Sequence, residues 1–172
     1  DDKEYIAEII FGVTTDTADS QGNVLQFVDK VQVDISQLEE VLESLTGSIE
    51  QVPPMFSAVR HKGKRLYELA RQGITVERKP RKVYVSRIEL LDLKANAARL
   101  RVTCSRGTYI RTLSEDIGEM MGFGACLGTL IRTRSGKFSI SSSKTLEEIS
   151  QHSGDYQDLL TPIDIGLNHL PA

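Results

Sequence analysis

The sequence has few cysteines and no long apolar run, and both shortages narrow the class of protein. Its cysteines are Cys104 and Cys126, which are too few and too far apart to indicate a disulfide framework. No apolar stretch approaches the roughly 20 residues that a membrane-spanning helix needs. The first residues also lack the basic and then apolar pattern of a signal peptide. We therefore expect a cytoplasmic protein that does not associate with a membrane.

Metal and cofactor motifs are missing as well. The cysteines and the three histidines (His61, His152, His169) show no spacing typical of metal ligands. There is no phosphate-binding loop, no dinucleotide-binding glycine motif, no nucleophile elbow and no zinc-binding His-Glu-x-x-His. We expect no metal site, and we expect the two cysteines to be buried small apolar side chains.

The order of predicted secondary structure indicates the fold class. The 172 residues contain 40% hydrophobic and 26% charged residues, which fits one globular domain. The predicted strands cover residues 4–11, 24–33, 83–93, 98–104, 125–132 and 137–141, and the predicted helices cover 34–46, 64–71 and 110–121. Strands and helices do not alternate regularly. The order therefore predicts an α+β fold with a mixed, largely antiparallel sheet and flanking helices.

Several local signals mark where these elements begin and end. Asp34 is a predicted N-cap, and Gly47 is the predicted end of the helix that follows it. The segment 94–97 is predicted to connect two strands as a hairpin. Thr145 and Glu148 have the spacing of a capping box and predict a short helix.

Positive charge is concentrated in one segment. The chain has a net charge of −3, but residues 51–82 carry nine Lys or Arg and two Glu, whereas the rest carries 12 basic and 22 acidic residues. Such asymmetry is typical of a nucleic-acid contact region. Phe56 and Tyr67 lie among these basic residues and could stack on bases. A solvated basic face, or a hairpin that binds a protein partner, would explain the charge equally well.

Three further features could carry chemistry, and each has a plainer explanation. Arg111 lies in the first turn of a predicted helix, where a cation opposes the helix dipole, so we expect a carboxylate or phosphate to compensate it. An exposed surface arginine is the alternative. Asp16 and Asp19 could form an acid–base pair or simply make Asx-turn hydrogen bonds. Tyr5 could act in a site or pack on a strand. From these residues alone we predict nucleic-acid contact and no particular reaction.

A set of motifs in a fixed order adds a family resemblance. The motifs are Lys3-x-Tyr5 with Gly12-x-x-Thr15-x-Thr17-x-Asp19-x-x-Gly22, then Gln51-x-Pro53-Pro54-x-Phe56-Ser57-Ala58 with Gly63, Tyr67 and Ala70-Arg71-x-Gly73, and then Ser105-x-Gly107-Thr108-Tyr109-Ile110-Arg111 with Asp116-x-Gly118, Gly122-x-Gly124-Ala125 and Leu130-x-Arg132. Each motif is weak by itself. Together and in order, they resemble bacterial tRNA pseudouridine-55 synthases of the TruB type along essentially the whole chain.

The resemblance implies a reaction and a set of site residues. The family isomerises the T-loop uridine of tRNA to pseudouridine without a cofactor or metal, and acts on a flipped-out base. Tyr5 and Arg111 would be catalytic, and Tyr5, Tyr109 and Leu130 would line the uracil pocket. Residues 51–82, which we call the thumb segment, would be an insertion that grips the T-arm. The implied RNA-binding residues are Phe56, Arg60, Lys62, Lys64, Arg65, Tyr67, Arg71 and Arg132.

One family feature has no counterpart in these residues. The nucleophilic aspartate of the family lies in a Gly-Thr-Leu-Asp-Pro stretch upstream of the Lys-x-Tyr motif, and this sequence has no such stretch. We therefore expect the chain to be a partial catalytic domain, spanning residues 1–172, that is inactive alone, with Arg111 facing an empty position. The family's C-terminal RNA-binding domain would follow Ala172. No obligate protein partner is implied. The alternative is a non-catalytic RNA-binding or RNA-remodelling module.

Overall fold

The computed structural model of the protein describes residues 1–162, and most of them belong to or pack against one large sheet. The strands are β1 (Lys3–Phe11), β2 (Val13–Thr15), β3 (Val24–Phe27), β4 (Gly47–Gln51), β5 (Arg60–His61), β6 (Lys64–Arg65), β7 (Arg81–Lys94), β8 (Ala97–Cys104), β9 (Ala125–Ser135) and β10 (Phe138–Ser139). The α-helices are α1 (Ile35–Ser44), α2 (Leu66–Ala70), α3 (Ile110–Met120) and α4 (Leu146–Ser150). Two short 3₁₀ turns cover Ile140–Ser142 and Tyr156–Leu159.

Six strands form the main sheet, in the order β10-β9-β1-β8-β7-β4. Every strand pairing within it is antiparallel. A parallel contact occurs only as an isolated bridge between Asp19 and Leu127 in the described part of the chain. Strands β2 and β3 form a separate hairpin, as do β5 and β6. The prediction of an α+β fold with a largely antiparallel sheet is confirmed.

The hydrophobic core lies on one face of the sheet, beneath α1 and α3. Residues 7, 9 and 11 of β1 are buried there, while their neighbours are only partly buried, as the two-residue period of a strand requires. From α3, Ile110, Leu113 and Ile117 recur at three- and four-residue spacing and pack into the same cluster. Both cysteines are buried, as expected, and neither forms a disulfide in the described residues. The core therefore fixes α3 against β1 and β9, the elements that carry the predicted site residues.

Most of the local signals are confirmed at atomic detail. Asp34 Oδ1 accepts a hydrogen bond from the Gln37 amide at 2.8 Å and caps α1. The Thr145 hydroxyl and the Glu148 carboxylate bond reciprocally to each other's backbone amides, at 3.1 and 2.7 Å, which completes the capping box of α4. Strands β7 and β8 meet at 94 and 97 in the predicted hairpin.

Element boundaries were predicted less well. The strand predicted over 24–33 ends at Phe27, and Lys30 adopts a positive φ of 58°, which turns the chain. Helix α1 ends at Ser44, so Gly47 begins β4, a strand that we did not predict. Strand β9 continues to residue 135, and the predicted strand 137–141 shortens to the two residues of β10.

The thumb segment contains a small hairpin followed by a short helix. Strands β5 and β6 pair across a turn in which Lys62 and Gly63 both have positive φ, 48° and 89°. This conformation is typical of tight two-residue hairpin turns. Helix α2 is shorter than the predicted 64–71, because Lys64 and Arg65 belong to β6. No helix within residues 1–162 is both long enough and apolar enough to cross a membrane.

Candidate active site

Three of the predicted site residues share one face of the sheet. Tyr5 lies directly opposite Arg132 in the β1–β9 pairing, and Ala7 lies opposite Leu130. Residues opposite each other in an antiparallel pair project from the same face. Because Ala7 belongs to the core and Tyr5 packs partly against it, this is the face covered by α3. Leu130 remains 44% exposed, so this end of the face is open to a ligand.

The Arg111 guanidinium joins three separate parts of the chain at the start of α3. Its Nη2 donates to the Phe56 carbonyl at 2.7 Å, and its Nη1 lies 3.3 Å from Asp19 Oδ2 and 3.4 Å from the Thr17 carbonyl oxygen. The Arg111 and Asp19 side chains are 24% and 25% exposed, which places the pair at the edge of the protein interior. The guanidinium thus ties the first turn of α3 to the loop after β2 and to the thumb segment.

Asp19 therefore compensates the cation that opposes the dipole of α3. The prediction that a carboxylate would do so is confirmed. Arg111 is nevertheless not without partners in this chain, as the expectation of an empty position suggested, because Asp19 and two backbone carbonyls accept hydrogen bonds from its guanidinium. Sequence reasoning treated Asp19 as a loop residue and missed this role, since the two residues are 92 positions apart.

Hydrogen bonds hold Asp19 in place. Its Oδ1 accepts from the Thr17 hydroxyl at 2.7 Å and from the Gln21 amide at 3.1 Å. The loop is joined to β9 by two backbone hydrogen bonds, from the Ser20 amide to the Leu127 carbonyl and from the Leu127 amide to the Ala18 carbonyl. The carboxylate that meets Arg111 is therefore oriented before any ligand binds.

Asp16 and Asp19 do not form an acid–base pair. Both carboxylate oxygens of Asp16 accept from Asn23, from its backbone amide and its side-chain amide, each at 2.8 Å. Those of Asp19 are used by Thr17, Gln21 and Arg111. Of the two alternatives for these aspartates, turn hydrogen bonding describes Asp16 fully, and Asp19 adds the ion pair.

A buried glutamine holds the backbone of Tyr109, the N-cap of α3. The Gln51 side chain is only 2% exposed. Its Oε1 accepts from the Tyr109 amide at 2.9 Å, and its Nε2 donates to the Tyr109 carbonyl at 3.3 Å. Sequence reasoning identified Gln51 only as part of a motif, because nothing local shows that this side chain is buried against a residue 58 positions away.

The basic side chains of the thumb segment are spread over β5, β6, the residues that flank α2, and the start of β7. Arg65 and Arg71 approach the Tyr67 ring, with guanidinium carbons 5.8 and 5.4 Å from its centroid, and Arg65 also donates to the Tyr67 hydroxyl at 3.2 Å. These contacts hold the two cations together. Phe56 is 37% exposed and lies at the base of the segment, next to Arg111.

Two concave surfaces lie along the thumb segment. A cavity of about 310 Å³ is lined mainly by basic and apolar side chains: Pro53, Val59, Arg60, His61, Leu66, Glu77, Arg78, Lys79 and Arg81. A more open groove of about 440 Å³ runs between the loop at 15–18, the base of the thumb segment and α3. Neither Tyr5 nor Arg111 lines either surface, but the groove is lined by Thr17 and Phe56, whose carbonyls contact Arg111. We therefore relate the groove, and not the cavity, to the candidate active site.

One carboxyl group on α3 is strongly perturbed. Burial, and then the neighbouring Glu119 carboxylate, raises the pKa of Asp116 to about 6 from its ordinary value of 3.8. No group of three or more His, Cys, Asp or Glu side chains in residues 1–162 is arranged to hold a metal ion. The chemistry that the described residues offer is thus that of an arginine–aspartate pair, a tyrosine and a basic surface.

Comparison with solved structures defines the class of protein. The chain superposes on "Crystal Structure of a Cbf5-Nop10-Gar1 Complex" with a TM-score of 0.62 and 28% identity, over 86% of this chain and 35% of that one. It also matches the fold in "Structure of H/ACA RNP bound to a substrate RNA containing 2'-deoxyuridine", with a TM-score of 0.59 and 23% identity, over 91% of this chain and 36% of that one. The fold is that of the pseudouridine synthases.

The sequence matches then specify the family. Residues 1–110 match the TruB family pseudouridylate synthase N-terminal domain, and residues 111–168 match the tRNA pseudouridylate synthase B C-terminal domain. The chain belongs to the TruB family of pseudouridylate synthases. It is 47% identical to tRNA pseudouridine synthase B of Stutzerimonas stutzeri over 99% of this chain, and 45% identical to that of Geobacillus thermodenitrificans over 98%. It spans 57% and 59% of the lengths of these two relatives.

Proposed function

We propose that the protein containing this chain is a tRNA pseudouridine synthase that isomerises the T-loop uridine at position 55. The relatives named tRNA pseudouridine synthase B support this reaction, because they match nearly all of the chain at 45–47% identity. The observation that carries the proposal to particular residues is the placement of Arg111 and Tyr109 at the start of α3, above the sheet face that carries Tyr5 and Leu130.

In the proposed reaction the uracil is detached from C1′ of the ribose, turned, and rejoined through C5. An aspartate attacks or stabilises the sugar during this exchange, and we propose that this aspartate lies outside these 172 residues. Arg111 is suited to hold it. Its hydrogen bonds within the described residues use three of the five N–H groups of a guanidinium. The remaining groups can bind a second carboxylate. Because we place the nucleophilic aspartate outside these residues, we expect the chain alone to be inactive.

Substrate contacts follow from the same assignment. We propose that Tyr5 contacts the target nucleotide and that Tyr109 and Leu130 line the uracil pocket. The thumb segment would hold the T-arm as an insertion at about 51–82 in a catalytic domain that covers residues 1–172. Its excess of positive charge suits the phosphate backbone. Arg132, opposite Tyr5 on β9, would contact RNA next to the pocket.

Release of the C5 hydrogen provides the activity test. Because the new glycosidic bond forms at C5, a tritium label at C5 of uridine must be released as pseudouridine forms. We expect the complete protein to release tritium from unmodified tRNA and not from tRNA with cytidine at position 55. The 172-residue chain alone should release none. Binding without release by the complete protein would instead support the alternative, a non-catalytic RNA-binding or remodelling module.

Substitution of Arg111 tests its assigned role. We expect Arg111→Ala in the complete protein to abolish tritium release while tRNA affinity changes little, because the guanidinium orients the nucleophile and contributes little to the long RNA contact. Lys144→Ala, an exposed change of equal charge, is the control. Near-normal product formation by Arg111→Ala would contradict the role.

Charge removal in the thumb segment tests RNA contact. Alanine at Lys62, Lys64 and Arg65 should weaken tRNA binding and reduce the slope of log K against log salt by up to about 3, since each phosphate contact contributes about 0.9. Alanine at Arg87, Lys94 and Lys144, which are exposed residues outside the segment, removes the same charge as a control. An unchanged slope in the first variant would favour a protein partner for this hairpin.

A further inference from the structure

Gln51 links the thumb segment to the candidate active site. It is the last residue of β4 and the first of the thumb segment, and its side chain is 2% exposed. Its Oε1 accepts a hydrogen bond from the Tyr109 amide at 2.9 Å, and its Nε2 donates one to the Tyr109 carbonyl at 3.3 Å. A buried side-chain amide that bonds both the backbone N–H and the backbone C=O of one residue restrains that residue at two atoms.

The contact between Gln51 and Tyr109 lies at the start of α3, next to Arg111. Tyr109 is the N-cap of α3, and its own side chain makes no capping hydrogen bond, so the Gln51 side chain restrains the N-cap backbone beside the contacts that Arg111 makes in the first turn. Removal of the amide would leave the Tyr109 N–H without its acceptor, which is costly in a part-buried position, whereas the Tyr109 carbonyl would keep the hydrogen bond from the Leu113 amide. The start of α3 would be expected to shift.

Two further contacts hold the base of the thumb segment, and one of them reaches α3. Arg111, two residues after Tyr109, donates to the Phe56 carbonyl at 2.7 Å. Arg78, near the other end of the thumb segment, donates to the Pro53 carbonyl at 3.1 Å and so closes the base of the segment. The backbone from 51 to 56 is therefore held at both ends against α3, and the Gln51 end of this connection is buried.

We propose that Gln51 is a positioning residue that holds Tyr109 and Arg111 in a fixed relation to the base of the thumb segment. RNA that is gripped by the thumb segment would then be presented to the reaction site in a constant geometry. Gln51 acts through Tyr109 and does not itself touch the substrate. This inference rests on the proposed function, since it assigns a role in the same reaction.

Two substitutions of nearly equal size separate the hydrogen bonds from packing. Gln51→Met keeps the length of the side chain and removes both bonds. Gln51→Glu keeps an acceptor for the Tyr109 amide and, when ionised, loses the donor to its carbonyl. In the complete protein, we expect Gln51→Met to lower the single-turnover rate of tritium release at saturating tRNA by about 10- to 100-fold, because small misplacements of reacting groups have effects of this size. The KM should change less than threefold, and Gln51→Glu should fall between the two proteins.

A second readout reports on position and does not depend on catalysis. Hydrogen exchange of the Tyr109 amide can be measured by NMR on protein labelled with ¹⁵N-tyrosine. Exchange should be at least tenfold faster in Gln51→Met than in the wild type, because the amide loses its acceptor. It should remain slow in Gln51→Glu. If the wild-type protein forms no pseudouridine, the proposed function fails, yet this exchange measurement still reports whether Gln51 fixes Tyr109.

A stability control completes the test. Val41→Ala removes buried volume from α1, away from the site, and lowers the melting temperature without touching Tyr109. Its turnover rate below the melting temperature should equal that of the wild type. The inference is overturned if Gln51→Met turns over within twofold of the wild type, or if Val41→Ala loses as much rate. If Gln51→Met does not fold, a wild-type rate in Gln51→Glu together with fast Tyr109 exchange would overturn it.

Discussion

The ion pair between Arg111 and Asp19 should make a measurable contribution to stability. The charged atoms lie 3.3 Å apart, and each side chain is about a quarter exposed. At an effective dielectric constant of about 20, Coulomb's law gives a gross attraction of about 5 kcal/mol. Desolvation of both groups offsets most of it. We therefore expect a net coupling of about 1–2 kcal/mol, more than the 0–1 kcal/mol typical of exposed pairs.

A double-mutant cycle measures this coupling. Arg111→Met removes the charge and keeps the aliphatic stem. Asp19→Asn removes the charge and keeps an oxygen that can accept from Thr17 and Gln21. Urea unfolding of the wild type, both single variants and the double variant then provides the coupling free energy. Because Asp19→Asn preserves the turn, its cost should come mainly from the lost ion pair.

A more exposed ion pair, in the main sheet, serves as the matched control. Arg101 and Glu89 lie 3.0 Å apart across β7 and β8, with side chains 41% and 32% exposed. Although this distance is shorter, water screens the pair more strongly, and the equivalent cycle should give below about 0.7 kcal/mol. A coupling for Arg111 and Asp19 no larger than this control value would refute the argument that partial burial strengthens the pair.

Two further predictions concern α3. Because burial raises the pKa of Asp116 to about 6, above its unfolded value near 3.8, its ionisation makes the folded state less stable as the pH rises through that window. Asp116→Asn should therefore stabilise the protein by about 1 kcal/mol at pH 8, after allowance for screening of a half-buried group, and have no such effect at pH 3. Equal effects in urea unfolding at both pH values would argue against it. Gly118→Ala should destabilise by about 2 kcal/mol, because the new Cβ would overlap the backbone of Gly124 and Ala125, and this outweighs the better helix propensity of alanine. Met120→Ala on the same helix is exposed and should cost little in the same measurement.

Sequence patterns correctly predicted the helices and strands that neighbouring residues determine. The apolar spacing of α3, the alternation of β8 and the capping box at Thr145 and Glu148 each depend on residues that lie close together in the sequence. These predictions are confirmed. The errors occurred where distant backbone contacts decide, as in β4, which exists because it pairs with β7 about 35 residues later in the chain.

The candidate site divides in the same way. The motifs indicated Tyr5, Tyr109, Arg111 and Leu130 through the family resemblance, and the roles assigned to these residues stay predictions. The pairing of β1 with β9 places Tyr5 and Leu130 on one face, which no local pattern could show. The partner of Arg111 was also missed, because Asp19 reads as an ordinary turn residue in the sequence.

By itself, the sequence determined the fold class, the family and the concentration of positive charge in the thumb segment, since composition, short-range periodicity and motif order are properties of the linear chain. Only the tertiary structure decided that Asp19 compensates Arg111 and that Gln51 holds Tyr109. Both contacts join residues more than 50 positions apart. Such pairs form only when the packing of α3 on the sheet brings the segments within hydrogen-bonding distance, and that packing depends on the whole core.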